Sequence, residues 1–165
     1  MVRRHRLLET YLVERLGYGW DEVHDEAENL EHAASETFID RIDRDLGSPL
    51  RDPHGDLIPR RDGHVESSEA VGLAGLAVGE GGTIARISDE DPALLRYLGE
   101  HGLGLDARIV VRDRVEVAGI LVLDRAEADG WTALELGIGA ARSLFVVRDD
   151  ARAADRAPTL IRLDG

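Results

Sequence analysis

Residues 4–32 read RHRLLETYLVERLGYGWDEVHDEAENLEH, and the spacing of histidine and glutamate in this run decides the fold. His5 and Glu9 are four apart, which on a helix puts both on one face. In the second half of the run stand His24, Glu28, Glu31 and His32. Each helical residue advances ~100°, so relative to His24, Glu28 lies at about +40°, Glu31 at about −20° and His32 at about +80°. All four can project from one side of a second helix. Two such faces brought together make a candidate site for a divalent cation. Two histidines eight apart with carboxylates between them set this pattern off from an ordinary solvated acidic face.

The apolar residues give the helices around that site. Leu7, Leu8, Tyr11, Leu12 and Leu16 form a stripe that predicts a helix from Val2 to about Leu16, stopped by Gly17 and Gly19. Asp21 is the expected N-cap of a second helix reaching about Ala34, with Val23, Ala27, Leu30 and Ala34 on its inner side. Ser35 is placed to cap a third helix ending at Gly47-Ser48-Pro49, with Phe38, Ile39, Ile42 and Leu46 apolar. Phe38, Ile39 and Ile42 exceed what a three-helix unit of this size needs to bury. Isologous pairing of two copies would cover them, or a following domain would dock there. The segment SPLRDPHGDLIP is punctuated by Pro and Gly and reads as a loop, and His54, His64 and His101 read as ordinary surface residues.

Beyond about residue 62 the character changes. A polar linker is expected over 63–72, a small β-barrel over 73–148, and a charged, Ala-rich tail over 149–165. Thr83–Ile87 is strand-like, and Asp91–Leu98 reads as one short helix with Pro92 in its first turn. Ala107–Val111, Val115–Leu123, Thr132–Leu136 and Ser143–Val147 are β-branched, turn-bounded runs. Gly79-Glu80-Gly81-Gly82 lacks the lysine and the spacing of a phosphate loop and reads as a turn between strands. No Gly-x-Ser-x-Gly elbow supports a hydrolase triad.

Composition narrows the function classes. The chain has 165 residues, no cysteine and a formal net charge of −13. Thiolate metal sites and disulfides are therefore excluded. Every fixed side-chain cation is arginine, and acidic surplus without lysine fits a high-salt cytosol, with a GC-rich genome as the alternative. Such a chain is not expected to bind DNA on its own, since phosphate contacts need basic patches. Only Arg3, Arg4 and Arg6 are dense, and they read as solvated cover on the first helix. No apolar run is long enough for a membrane span, and the N-terminus lacks a secretory pattern, so a cytoplasmic protein with no membrane partner is expected.

His5-Arg6-Leu7-Leu8-Glu9, Gly17, Val23-His24-Asp25-Glu26-Ala27-Glu28 and Glu31-His32 resemble the metal-binding and dimerisation domain of the diphtheria-toxin-repressor family. These are iron- or manganese-dependent transcriptional regulators. Pro53-His54-Gly55-Asp56-Leu57-Ile58-Pro59 resembles the turn that follows the same helices. The C-terminal half resembles the Src-homology-3-like barrel, related to the ferrous-transport accessory protein FeoA, of longer members. The resemblance covers most of the chain and implies an α+β protein: a helical metal-binding and dimerisation domain at 1–62, then the FeoA-like barrel.

The resemblance further implies that His5, Glu9 and His24 match the family's ancillary metal site, and that Glu28, Glu31 and His32 match its primary site. Asp89 or Glu90 lies where some members supply a barrel ligand. Glu28 stands where iron-type members carry cysteine, and hard oxygen donors with imidazole suit Mn²⁺ or Fe²⁺, with manganese favoured. In the family a winged helix-turn-helix domain precedes the His5 segment and supplies a further ligand. Here Met1 stands four residues before His5. The expected protein is thus the effector-binding, dimeric half of a metal-dependent regulator and not an enzyme. It would reach operator DNA only through a domain missing from this chain. A metal-transport accessory protein or a small metalloenzyme are the alternatives.

Overall fold

The computed structural model describes residues 1–88 and 91–149. Asp89 and Glu90 lie outside the described residues, as does the predicted tail from residue 150 onward. The described residues form two compact units, Met1–Glu69 with Ala85–Leu105, and Ala70–Ile84 with residues 106–149.

In the first unit α1 (Val2–Leu16) buries Leu7, Leu8 and Leu12 along the predicted stripe. It ends where Gly17 adopts φ +75, and the amide of Tyr18 then reaches back to the Leu12 carbonyl at 3.1 Å. That closure satisfies carbonyls which the last turn would otherwise leave unpaired. Helix α2 (Val23–Glu31) is shorter than expected, and its N-cap is Glu22, without a side-chain cap bond. Asp21 instead pairs with Arg96 at 3.2 Å. Helix α3 (Glu36–Asp45) starts as predicted, with the Ser35 hydroxyl accepting from the Phe38 amide at 3.2 Å.

Leu7, Leu8, Leu12, Val23, Ala27, Ile39, Ile42 and Ile58 form the helical core. Each large aliphatic side chain buried there contributes about 1.5–3 kcal/mol of transfer free energy. Ile39 and Ile42 are therefore not surplus apolar surface. They point into the unit's own core, and only Phe38 of the predicted exposed trio is solvent-facing, at 49%.

The segment after α3 is not a simple surface loop. The Asp52 carboxylate oxygen Oδ1 accepts from the amides of His54 and Asp56, both at 2.9 Å, closing a tight turn. Gly55 has φ +88, and a Cβ there would stand 2.1 Å from the Ala85 carbonyl oxygen. The Ile87 amide donates to the His54 carbonyl at 2.8 Å, and Arg86 pairs with Asp56 at 2.7 Å. Helix α4 (Pro92–Glu100) completes this unit. Asp91 caps it by accepting from Ala93 and Leu94, with Pro92 in the first turn as read from the sequence.

The sheet has strands β1 (Val71–Gly72), β2 (Gly81–Ile87), β3 (Arg108–Val115), β4 (Ile120–Glu127), β5 (Gly130–Gly137) and β6 (Leu144–Arg148). Their order is β1-β6-β2-β3-β4-β5, which leaves β1 and β5 as the two edges of an open sheet. Long antiparallel ladders join β3 to β4 and β4 to β5. Period-two burial places Ile109 and Val111 of β3, Leu121 and Leu123 of β4, and Leu144 and Val146 of β6 inside. A short helix, α5 (Ile138–Ala141), precedes β6. The run Val115–Leu123 is not one strand: it breaks at a 3₁₀ turn over Glu116–Ala118 closed by Gly119. The architecture is α+β, a helical domain followed by a six-stranded open sheet.

Candidate metal centre

Three donor atoms from two helices form a nearly equilateral triangle. His5 and Glu9 lie one turn apart on α1, and His24 stands in the first turn of α2. His5 Nε2 is 3.0 Å from Glu9 Oε1, His24 Nδ1 is 3.1 Å from the same oxygen, and the two nitrogens are 3.2 Å apart. The two rings meet edge to face with centroids 4.8 Å apart. Hydrogen bonds do not account for all three edges. If both nitrogens donate to Oε1, their N–H groups converge and the nitrogen–nitrogen edge is repulsive. A cation would satisfy all three. Metal bonds of about 2.2 Å, within the ~2.0–2.6 Å spanned by imidazole and carboxylate ligation, put neighbouring ligands of an octahedral ion about 3.1 Å apart. The donor set of two imidazoles and one carboxylate fits a first-row divalent ion.

The electrostatics agree with that fit. Glu9 is fully buried. Burial disfavours its charged form, but the hydrogen bond from His5, the charges of His5 and His54 and the bond to His24 outweigh this and hold its carboxyl below the usual range. His5 is raised, chiefly by its bond to Glu9, against the effect of burial and with help from the Glu9 and Glu31 charges. The second ring nitrogen of His5, Nδ1, faces Glu31 Oε2 at 3.1 Å. The ring is thus oriented at both nitrogens, as ligating histidines are by outer carboxylates.

A second group was not visible in the sequence. Glu9, Asp52 and His54 bring one donor atom each to within 4.8 Å of one another, and all three are buried. His54 is 0% exposed and is therefore not a surface residue. Its Nε2 bonds the Trp20 carbonyl at 2.6 Å, and its ring stacks on the Trp20 indole at 6.1 Å. Burial, together with the Glu9 and Asp56 charges, pushes the Asp52 carboxyl up to about 7. The pattern Asp52-Pro53-His54-Gly55 carried the only signal, two metal-competent side chains two residues apart in a turn.

The remaining predicted residues are less gathered. Glu31 is close to His5, and its other oxygen is 3.6 Å from His32 Nε2. Glu28 is exposed, and the His32 side chain, just past the end of α2, is 68% exposed. His64 and His101 are exposed, as expected. Arg3, Arg4 and Arg6 are not mere solvated cover. Arg3 pairs with Asp43 at 2.9 Å, Arg4 donates to the Glu31 carbonyl at 2.9 Å, and Arg6 lies 3.6 Å from Asp52. A cavity of about 380 Å³ opens beside the triangle, lined in part by His5, Glu9, His24, Glu31, Asp52 and Arg86.

Comparison with known proteins follows the same division. Residues 1–60 match the iron dependent repressor metal binding and dimerisation domain, and residues 71–148 match the FeoA domain. The iron-dependent repressor IdeR of Mycobacterium tuberculosis is 36% identical over 117 residues, which is 70% of this chain and 43% of that protein. A manganese-dependent transcriptional repressor solved in complex with manganese is 53% identical, with a TM-score of 0.85 over 88% of this chain and 68% of the other. A second structure of a manganese-dependent transcriptional repressor is 51% identical with a TM-score of 0.85, covering 90% of this chain and 78% of the other. The chain thus spans less than half the length of the curated repressor it matches.

Proposed function

The chain belongs to the diphtheria-toxin-repressor family of iron- and manganese-dependent transcriptional repressors, and on that basis we propose that it is the metal-sensing, dimerising part of such a regulator. The observation that carries this reading is the triangle of His5 Nε2, Glu9 Oε1 and His24 Nδ1, with edges of 3.0, 3.1 and 3.2 Å. In this reading His5, Glu9 and His24 hold one Mn²⁺ or Fe²⁺ ion. Glu28, Glu31 and His32 contribute to a second, more exposed position, with Glu31 as the link between them through His5. A bound divalent cation supplies the positive charge that clustered carboxylates lack.

The chain's own residues turn that charge into order. Glu9 and His5 are fixed to α1 and His24 to α2, so joint ligation would lock the two helices together and turn metal binding into conformational free energy. His5 would have to give up its proton at Nε2 to ligate the ion. Two copies pair through the helical unit, with Phe38 on the contact face. Operator DNA is read by a segment outside the two matched domains, and no substrate is turned over.

Mn²⁺ titration of the full chain tests this reading. Glu9→Ala and His24→Ala should each weaken binding by about 10–100-fold or more, as loss of a ligand exceeds the cost of losing an outer-shell partner. Identical titration curves for wild type and both variants would remove the proposal.

A further inference from the structure

Glu9 belongs to two groups of donor atoms at once. Its Oε1 closes the triangle with His5 and His24, while the same carboxylate is grouped with Asp52 and His54 within 4.8 Å. The other oxygen, Oε2, is buried and has no hydrogen-bond partner among the described residues. An orphaned buried carboxylate oxygen is costly, and native interiors rarely leave one. The groups around it are already oriented. His54 Nε2 sits 2.6 Å from the Trp20 carbonyl and therefore carries the ring proton, which makes Nδ1 the basic nitrogen. Asp52 is held by two backbone amides through Oδ1, which leaves Oδ2 as its outward oxygen, 3.6 Å from Arg6. Arg6 is divided between Asp52 and Asp56, so it offsets only part of the charge of Glu9 and Asp52.

We infer that Glu9 is a bridging carboxylate and that Glu9, Asp52 and His54 hold a further divalent cation behind the one at His5, Glu9 and His24, distinct from the exposed position at Glu28, Glu31 and His32. This inference rests on the proposed metal centre but adds an interior site to it. Two carboxylates and one imidazole are a harder donor set than the outer triangle, and they favour Mn²⁺ or Fe²⁺ over softer ions. The Asp52 turn presents its donors without rearrangement, because the amides of His54 and Asp56 and the close approach of Gly55 to Ala85 fix it. A cation in this position ties α1 to the turn after α3, a connection that the outer triangle does not make.

The test is anomalous diffraction from crystals of the full chain grown with manganese chloride, beside equilibrium dialysis of Mn²⁺ in solution. Leaving aside any peak at the exposed position of Glu28, Glu31 and His32, wild type should give one peak among His5, Glu9 and His24 and another among Glu9, Asp52 and His54. Asp52→Asn keeps an acceptor for the two turn amides, and His54→Gln keeps a donor for the Trp20 carbonyl, so both variants preserve the turn. Each should lose the inner peak and about one ion per chain while the outer peak remains. A single peak at His5 and His24 overturns this inference and leaves the proposed function standing. A single peak at Asp52 and His54 overturns the bridge. Two peaks that survive both substitutions overturn the ligand assignment, and no peak at either position overturns the metal centre itself.

Discussion

Replacing Asp52 with asparagine in the metal-free protein should raise stability at pH 8 and change it little at pH 4. The Asp52 carboxyl goes from an ordinary 3.8 to about 7 in the fold, first through burial and then through the charges of Glu9 and Asp56. A raised acid favours the folded state while protonated. Its contribution is present below the unfolded value and is lost as pH climbs from about 4 to about 7. Each tenfold change in proton affinity is about 1.4 kcal/mol, so the loss has a ceiling of about 4 kcal/mol. Asparagine does not ionise and escapes this loss. It keeps the two amide bonds at Oδ1, and the attraction of Arg6 at 3.6 Å is already contained in the value of about 7. The expected net gain is about 1–3 kcal/mol at pH 8 and near zero at pH 4. Urea unfolding followed by far-UV circular dichroism, in chelator and at intervals from pH 4 to 8, gives the difference directly. Acids remote from Asp52 titrate equally in both proteins and cancel, while relief of the repulsion on Glu9 and Asp56 adds to the gain at pH 8. If Asp52→Asn were less stable than wild type by the same amount at both ends of the range, the buried-charge reasoning would be wrong.

Three further outcomes follow from the same geometry. His5 is raised above 6.5, so below that raised value Mn²⁺ must displace its proton; affinity should climb by up to about tenfold per pH unit in acid and level off above it, and a flat profile from pH 5.5 to 8 would contradict this. In the metal-free protein, the His5 contribution to stability is present below 6.5 and fades as pH rises through its folded value. Gly55→Ala forces a Cβ to within 2.1 Å of the Ala85 carbonyl at φ +88, so thermal unfolding should register a loss of more than about 2 kcal/mol, and a neutral substitution would show that the turn is not held as described. Phe38→Ser should weaken dimerisation by about tenfold or more in sedimentation equilibrium, and an unchanged dissociation constant would move the dimer contact elsewhere.

The parts of this fold legible in the sequence are those written in local chemistry. The Leu7–Leu8–Leu12 stripe, the stop at Gly17, the Ser35 cap and the Asp91-Pro92 start each depend on neighbours a few residues away, and each stands as read. The grouping of His5, Glu9 and His24 was foreshadowed because two helical faces carry them. What escaped depends on distant contacts. His54 sits in a Pro- and Gly-rich run that reads as surface, yet the Ala85–Ile87 backbone closes over it and Trp20 stacks on it. Ile39 and Ile42 read from α3 alone as available to a partner, yet both are buried in a core that also takes in Ile58 from the segment after α3. Asp21 has the chemistry of a cap, but a partner 75 residues away claims it.

The central claim is that the imidazoles of His5 and His24 meet a cation directly. It is tested most directly by electron–nuclear double resonance on Mn²⁺ bound to ¹⁵N-histidine-labelled protein. A His32→Ala and His54→Gln background would remove the other candidate ligand histidines. The spectrum should contain histidine nitrogen couplings that diminish in His24→Ala and vanish when His5 is also replaced. Tightly bound Mn²⁺ without coupling to any histidine nitrogen would contradict the account.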